Sequence, residues 1–184
     1  MRVVGGRWRG RPLASPKSNA IRPTADRLRQ SLFNILLHAY GDPVGGARVL
    51  DLFAGTGALG IEALSHGAAF ALFVDDGAEA RALLRDNVDS FGLGGVTRIF
   101  RRDATKLGEP TPLAPFSLVF LDPPYGQGLA TAALNSARTG SWLTADALIV
   151  VEEATKAQFA APERFHELER RRYDDTEFVF LRLG

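Results

Sequence analysis

Apolar residues along the chain fall into short runs, which alternate with stretches whose apolar residues recur every three or four positions. The runs predict β-strands and the stretches between them predict helices. Predicted strands cover 49–53, 70–74, 96–100, 116–121, 147–151, 165–173 and 177–183, and predicted helices cover 59–66, 78–91, 129–138 and 154–159. Helices between strands require right-handed crossovers, whereas the last two strands, joined by Asp174-Asp175, predict an antiparallel hairpin. The sequence therefore predicts an α/β fold with a mostly parallel, doubly wound, seven-stranded sheet that ends in this hairpin.

The first forty residues have a different pattern. Residues 1–22 are rich in glycine, arginine and proline, and their apolar residues are too sparse to form a core, so we predict an extended arm. Thr24 can cap a following helix, whose apolar residues recur at helical spacing until about Tyr40. We therefore divide the chain into a basic N-terminal arm with its helix, residues 1–40, and an α/β domain, residues 41–184.

Charge is distributed unevenly along the 184 residues. The chain has 22 Lys+Arg and 21 Asp+Glu, a net charge of +1, which by itself argues against nucleic-acid binding through bulk charge. Residues 1–30, however, hold eight basic residues and one acidic residue, a net charge of +7, and the remainder holds 14 basic and 20 acidic residues, a net charge of −6. A basic extension on a mildly acidic body favours a polyanionic partner.

The composition excludes several classes of site. The chain has no cysteine, which excludes disulfides, thiolate metal sites and cysteine nucleophiles. The three histidines have no metal-ligand spacing, so we expect no metal. Neither an apolar signal sequence nor a run of 18 apolar residues is present, and we expect a cytoplasmic protein that does not bind a membrane.

A glycine-rich loop follows the first predicted strand. Residues 51–60, Asp-Leu-Phe-Ala-Gly-Thr-Gly-Ala-Leu-Gly, contain G-x-G-x-x-G, in which glycine permits a tight turn and close approach of a ligand. Asp75 ends the second strand, where a carboxylate can accept both hydroxyls of a ribose. Asp51 would repel a pyrophosphate but suits the cationic groups of S-adenosylmethionine (SAM). The loop thus favours SAM, with a simple strand-to-helix turn as the alternative.

A second motif, Asp122-Pro123-Pro124-Tyr125, follows the fourth predicted strand. Two prolines fix the backbone and remove two N–H donors, so this turn presents acceptors. The Asp122 carboxylate and the Pro123 carbonyl can hold the two hydrogens of an exocyclic amine, which directs its lone pair at a methyl group and stabilises the developing positive charge. Tyr125 can stack on the ring that carries the amine. The alternative is a rigid loop with a capping aspartate.

These motifs, together with two more specific ones, resemble the RsmD-type family of 16S ribosomal RNA guanine-N2 methyltransferases. The specific motifs are Val-Gly-Gly-x-Trp-Arg-Gly-Arg at 4–11 and Arg-Pro-Thr-x-Asp-Arg-x-Arg-x-Ser-Leu-Phe-Asn at 22–34. The resemblance covers nearly the whole chain and implies a Rossmann-like class I SAM-dependent methyltransferase fold. It implies catalytic residues at Asp122, Pro123, Pro124 and Tyr125. It implies cofactor-binding residues at Asp51, Phe53, Ala54, Gly55, Thr56, Gly57, Asp75, Asp103 and Ala104.

The resemblance also implies that Asp51 to Gly57 surround the methionine end of SAM, that Asp75 binds the ribose, and that Asp103-Ala104 contact the adenine. Gly77 stands where the family often has a polar residue, so Asp76 is an alternative to Asp75 for the ribose.

The expected partner is 16S rRNA or an assembling small ribosomal subunit, bound by a monomer. We expect the basic segment to contact RNA, with arginines on phosphates and the tryptophan stacking or packing. The predicted RNA-binding residues are Arg7, Trp8, Arg9, Arg11, Arg22 and Arg27. The alternatives are a solvated tail and a tryptophan that docks on the body.

Three other functions use parts of the same pattern. An adenine-N6 methyltransferase of DNA or RNA would use the same proline turn, because its chemistry serves any exocyclic amine. A nicotinamide-dependent oxidoreductase is disfavoured by Asp51 and by the turn, and a non-catalytic RNA-binding assembly factor could keep the fold. Two charged runs lie outside the motifs. Glu152-Glu153 is predicted to be a solvated carboxylate pair, with lining of the active cleft as the alternative. Arg170–Arg172 is predicted to be a solvated strand edge, with an RNA contact as the alternative.

Overall fold

The computed structural model describes residues 1–16 and 25–184. Its strands are β1 (Arg48–Leu52), β2 (Phe70–Val74), β3 (Thr97–Phe100), β4 (Phe116–Leu121), β5 (Leu143–Ala154), β6 (Phe165–Tyr173) and β7 (Thr176–Leu183). Its helices are α1 (Asp26–Ala39), α2 (Ala58–Ser65), α3 (Ala78–Ser90) and α4 (Leu129–Thr139), with short 3₁₀ turns at Gly6–Trp8 and Thr155–Ala157.

All seven strands form one sheet, in the order β3-β2-β1-β4-β5-β7-β6. The pairs among β1 to β5 are parallel, and β7 pairs antiparallel with both β5 and β6. The predicted fold class and the C-terminal hairpin are confirmed. The order reverses at β1 and β4, and in such sheets ligands bind outside the carboxyl ends of the strands at this point.

The core lies on both faces of the sheet, because successive strand residues point to opposite sides. In β2, Phe73 packs with α1, α2 and α3 on one face, whereas Leu72 and Val74 pack with α4 on the other. The apolar runs recognised in the sequence are therefore strands covered on both faces, as parallel sheets require.

β5 is longer than predicted, and the helix predicted after it is a single 3₁₀ turn. The strand continues to Ala154 because β7 runs alongside it, with Glu153 opposite Glu177 and Ala154 opposite Thr176. Glu152 and Glu153 are buried, which contradicts the predicted solvated pair.

The prediction of an extended arm is wrong for the described residues 1–16. This N-terminal segment folds back on itself through a bridge between Arg2 and Pro12, and it buries Val3 and Leu13 in the core beside α1, α2 and α3. Its apolar residues are too few for a core of their own, but two of them suffice to dock it on the body. Thr24, the predicted cap of α1, lies outside the described residues.

Candidate active site

The sheet register brings the two motifs to one edge. Leu52, the last residue of β1, is level with Val74 at the end of β2 and with Leu121 at the end of β4. The glycine loop, Asp75 and the Asp122 turn therefore begin side by side, where the sequence places the cofactor and the target amine.

Asp75 connects the glycine loop to the loop after β2. Its Oδ2 accepts the Gly55 N–H at 2.9 Å, and its Oδ1 accepts the Gly77 N–H at 2.8 Å. Each carboxylate oxygen retains capacity for a further bond, so Asp75 can hold the loop and still accept a hydroxyl. Asp76 is exposed, and the ribose contact stays a prediction.

The backbone of the loop takes left-handed conformations at Phe53 (φ 57°), Gly55 (φ 60°) and Gly57 (φ 83°). Gly57 suits its left-handed backbone, and a Cβ there would also stand 2.5 Å from the end of the Leu84 side chain on α3. Phe53 and Gly55 are half-buried, whereas Ala54 and Thr56 are buried. The exposed surface of the loop is therefore centred on Phe53 and Gly55.

Asp51 is 1% exposed, and its Oδ2 accepts the N–H of Gly60 in the first turn of α2, at 3.0 Å. Burial, and next the negative charge of Asp75, raise the pKa of the Asp51 carboxyl well above its ordinary value. No ion pair joins Asp51 to a cation among the described residues. The structure thus gives Asp51 a role in fixing α2, and a contact with the methionine end of a cofactor stays a prediction.

Asp103 and Ala104, predicted to meet the adenine, differ in exposure. Asp103 is exposed, and its Oδ1 accepts the hydroxyl of Thr105 at 2.7 Å and the Thr105 N–H at 2.8 Å. The hydroxyl bond and then the backbone bond lower the pKa of the Asp103 carboxyl. Ala104 packs in the core on the α4 side, so its side chain has little surface for a ligand.

The Asp122 turn is fastened to the ends of β5 and β7. The Tyr125 hydroxyl lies 2.8 Å from Thr176 Oγ1 and donates to Glu152 Oε1 at 3.2 Å. The Gly126 N–H donates to Glu153 Oε1 at 3.2 Å. Two buried carboxylates thus hold the turn, a role that a pair of glutamates at a strand end does not signal in the sequence.

Within the turn, Asp122 and Tyr125 are half-buried, Pro123 is buried and Pro124 is exposed. The turn therefore leaves part of Asp122 and of Tyr125 accessible at the sheet edge. Their contact with an amine and with the ring that carries it stays a prediction.

A buried ion pair docks the N-terminal segment, and sequence reasoning missed it. Glu62 on α2 accepts four donors: Val4 N–H at 2.9 Å, Gly5 N–H at 2.9 Å, Arg29 Nε at 3.2 Å, and His66 Nε2 at 3.0 Å when that nitrogen carries a proton. The Glu62 and Arg29 side chains are both fully buried. The available signal was an acidic residue inside an otherwise apolar helix.

Asn87 joins the N-terminal segment to the glycine loop. Its Oδ1 accepts the Ala14 N–H at 2.8 Å, and its Nδ2 donates to the Thr56 carbonyl at 2.9 Å. Because Asn87 is buried on α3, it fixes the N-terminal segment and the glycine loop relative to each other.

The predicted RNA-binding arginines have different environments. Arg7, Arg9, Arg11 and Arg27 are exposed, and Arg22 lies outside the described residues. The Arg7 guanidinium lies 4.4 Å from the ring centre of Trp8, and Arg11 donates to the Ser90 carbonyl at 2.9 Å. Trp8 packs edge-on against Phe91, so it docks on the body.

Arg170 and its neighbours on the edge strand β6 bond mainly to carboxylates. Arg170 pairs with Glu167 and Glu177, Arg171 pairs with Glu169, and Arg172 lies 3.4 Å from Glu177. Among the described residues, no helix could cross a membrane and no group of three metal-binding side chains occurs.

Comparison with known proteins agrees with this geometry. Residues 1–182 match the family described as "Conserved hypothetical protein 95". The chain is 39% identical over 153 residues to ribosomal RNA small subunit methyltransferase D of Escherichia coli K12, covering 83% of this chain and 74% of the relative. It is 33% identical over 167 residues to the protein of the same name from Haemophilus influenzae, covering 90% of this chain and 84% of the relative.

Solved structures share the whole architecture. The Escherichia coli protein yhhF superposes with a TM-score of 0.82 at 31% identity, covering 100% of this chain and 98% of the other. A ribosomal protein L11 methylase from Lactobacillus delbrueckii has a TM-score of 0.66 at 15% identity, covering 91% and 83%, and it shares the fold alone. The fold is thus the Rossmann-like fold of methyltransferases, and the chain belongs to the family described as "Conserved hypothetical protein 95", the RsmD family.

Proposed function

We propose that this protein is a SAM-dependent methyltransferase that methylates the exocyclic N2 amine of one guanosine in 16S rRNA, acting as a cytoplasmic monomer on the RNA or on an assembling small subunit. The observation that carries the proposal is the meeting of the glycine loop and the Asp122 turn at one sheet edge, in a chain of this family. The relatives named as small-subunit rRNA methyltransferases support the class of substrate.

The residues at the edge fit SAM better than a dinucleotide. Asp51 is buried without an ion pair among the described residues, and Asp75 adds a second negative charge. A ligand that brings a cation relieves this charge, whereas a pyrophosphate increases it. The same argument counts against the nicotinamide-dependent alternative.

SAM would supply an electrophilic methyl group on a sulfonium. Asp75 would accept the ribose hydroxyls, and Asp103 with the backbone at Ala104 would border the adenine. The Asp122 carboxylate and the Pro123 carbonyl would accept the two amine hydrogens and stabilise the cationic nitrogen after transfer, after which the proton leaves. Tyr125 would cover the guanine, which must be unstacked to reach this edge.

RNA binding is assigned to the basic surface of the N-terminal segment. The segment is docked through Val3, Leu13 and Glu62, so its deletion would expose the core and leave Glu62 without two of its four donors, the Val4 and Gly5 N–H groups. Replacing the exposed Arg7, Arg9 and Arg11 by alanine is therefore the better test of RNA contact. We expect weaker RNA binding with a shallower salt dependence and unchanged SAM affinity.

Catalysis is tested with Asp122→Ala, using transfer of labelled methyl from SAM to small-subunit particles and to free 16S rRNA, followed by nucleoside analysis. We expect kcat to fall by about 10²–10³-fold, because one grip on the developing charge is lost, while RNA and SAM still bind. Asp86→Ala on α3, which removes an exposed carboxylate outside both motifs, serves as the control.

Product identity separates the remaining functions. N2-methylguanosine supports the proposal, and N6-methyladenosine would replace it with the adenine reaction. Absence of transfer to every RNA, with RNA binding intact in wild type and variant alike, would identify an assembly factor.

A further inference from the structure

A concave surface is formed by residues outside the two motifs of the predicted cofactor edge. It is a cleft of about 350 Å³ between the N-terminal segment, α1 and the end of α2. Its lining comprises Val4–Gly6, Arg9, Gln30, Phe33, Asn34 and His66. None of these residues belongs to the glycine loop, the Asp75 loop or the Asp122 turn, so the cleft is a separate site.

The wall of the cleft is aromatic and rigid. The rings of Phe33 and His66 stack with their centres 4.9 Å apart and an angle of 19° between their planes. His66 Nε2 lies 3.0 Å from the buried Glu62 carboxylate, which fixes the imidazole. The His66 side chain remains 26% exposed, so part of its ring is available to a ligand.

Glycines bring the opposite side of the cleft close to α2. A Cβ at Gly5 would stand 2.7 Å from the His66 ring, and one at Gly6, where φ is +72°, would stand 2.1 Å from the Ser65 carbonyl. Only glycine at both positions allows the backbone to pass this close to the end of α2. The cleft is therefore a consequence of how the segment is docked.

The rim carries hydrogen-bonding groups and a positive charge. Gln30 and Asn34 are exposed one turn apart on α1, and each amide offers both donors and an acceptor. The Arg9 guanidinium is exposed, and no carboxylate of residues 1–16 or 25–184 lies within ion-pair distance of it. The first thirty residues, in which this rim largely lies, have a net charge of +7.

From this combination we infer that the cleft binds one unpaired nucleotide of the substrate RNA, distinct from the nucleotide that is methylated. The amides of Gln30 and Asn34 contact the edge of the base, the base lies against the imidazole of His66, and Arg9 binds a flanking phosphate. An unpaired nucleotide is required, because only an unstacked base presents its edge and its face together. This inference rests on the proposed function, since it assumes an RNA substrate.

Filling the cleft without changing its charge is the sharpest test. Asn34→Trp occupies the space between α1 and the segment, and His38→Trp places the same side chain on an exposed position in the last turn of α1, outside the cleft. Stacking of a base on a protein ring contributes about 1–3 kcal/mol, so we expect the KM for RNA to rise about 5- to 150-fold in Asn34→Trp and to stay unchanged in His38→Trp. The affinity for SAM should be unchanged in both, and thermal unfolding shows whether each variant is folded.

Charge at the rim is tested separately with Arg9→Ala against Arg98→Ala, a matched loss on the exposed edge of β3. Arg9→Ala should reduce the dependence of RNA affinity on salt by about one phosphate contact, and Arg98→Ala should not. Photo-crosslinking of RNA that contains 4-thiouridine should label residues 30–34 at a nucleotide other than the methylated one.

The outcomes separate this inference from the proposed function. Unchanged KM in a folded Asn34→Trp that methylates RNA normally would overturn the nucleotide site and leave the methyltransferase intact. Absence of methyl transfer in the wild type would overturn the proposed function itself, and crosslinks at residues 30–34 would then still report RNA in the cleft. In a second RNA, 6-thioguanosine replaces the guanosine that is methylated, and a crosslink of residues 30–34 to that position would also overturn the assignment to a second nucleotide.

Discussion

Two buried carboxylates, Asp51 bonded to α2 and Glu62 on α2 itself, have opposite surroundings. Asp51, at the predicted ligand edge, accepts one neutral N–H from α2 and has no ion pair among the described residues. Glu62, under the N-terminal segment, accepts four donors, one of which is a guanidinium. Burial raises the pKa of the Asp51 carboxyl accordingly.

This difference distinguishes a carboxylate that stabilises the fold from one that is suited to a ligand-binding site. A buried charge that is fully bonded stabilises the arrangement of its partners, whereas a buried charge with few partners creates a demand for a cation. Glu62 fixes where the basic segment lies, and a cationic ligand at the edge would favour the ionised form of the Asp51 carboxyl.

The largest expected effect comes from removing the cation beside Glu62. Arg29→Met leaves a buried carboxylate without its guanidinium, and we expect a loss of about 3–5 kcal/mol in the free energy of unfolding, measured in urea. The double variant Arg29→Met/Glu62→Leu should recover part of this loss, because it removes the unpaired charge. Equal stability of Arg29→Met and wild type would remove the contrast between the two carboxylates.

A smaller loss of stability is expected at the predicted ligand edge of the sheet. Asp75→Ala leaves the Gly55 and Gly77 N–H groups without their acceptor, which should cost about 1–3 kcal/mol of stability. Calorimetry should also show weaker binding of S-adenosylhomocysteine. Asp76→Ala, at the exposed neighbour, is the control, and a greater loss of affinity in that variant would assign the ribose to Asp76.

The fastening of the Asp122 turn gives a third test. Tyr125→Phe keeps the ring but removes the hydroxyl that lies near Thr176 and Glu152, so we expect a loss of about 0.5–1.5 kcal/mol of stability. Methyl transfer should slow because the turn is held less firmly. Tyr173→Phe, on β6, controls for loss of a tyrosine hydroxyl elsewhere, and an equal effect in both variants would argue against a special role of the turn.

Asp51→Asn should change the free energy of unfolding least, and it tests the contrast between Asp51 and Glu62 most directly. The unfolded chain loses the Asp51 proton near its ordinary pKa of 3.8, and the folded protein loses it at a higher pH. Between these values the folded state binds the extra proton, so this group favours folding at low pH, and that contribution is lost as pH rises through the folded pKa.

Asparagine can keep the bond to Gly60 and has no such titration. Relative to wild type, Asp51→Asn should therefore become more stable as pH rises, measured as the urea midpoint across the pH series. If SAM meets this charge, the variant should also bind SAM more weakly. A constant difference in stability at every pH would contradict the assigned burial effect.

The sequence allowed the edge of the sheet to be predicted because parallel strands place their carboxyl ends together. Asp75 and Asp122 follow directly from that rule once the strands are recognised. Glu62 could not be interpreted in the same way, since its partners Val4 and Gly5 are more than fifty residues distant and depend on how the segment docks. The burial of Glu153 was not predicted, because the length of β5 is set by its pairing with β7. The local apolar pattern does not reveal that pairing.

The outer strand of the sheet has a consequence for solubility. Among residues 1–16 and 25–184, β6 pairs with β7 alone and has no strand on its other side, and an open strand can recruit a strand from another molecule. The register of the β6–β7 pairing shifts between Glu167 and Glu169, and β6 is rich in arginine and glutamate next to that irregularity. A bulged strand rich in charge is a poor template for further pairing, so concentrated solutions of the protein should resist sheet-to-sheet aggregation at this edge.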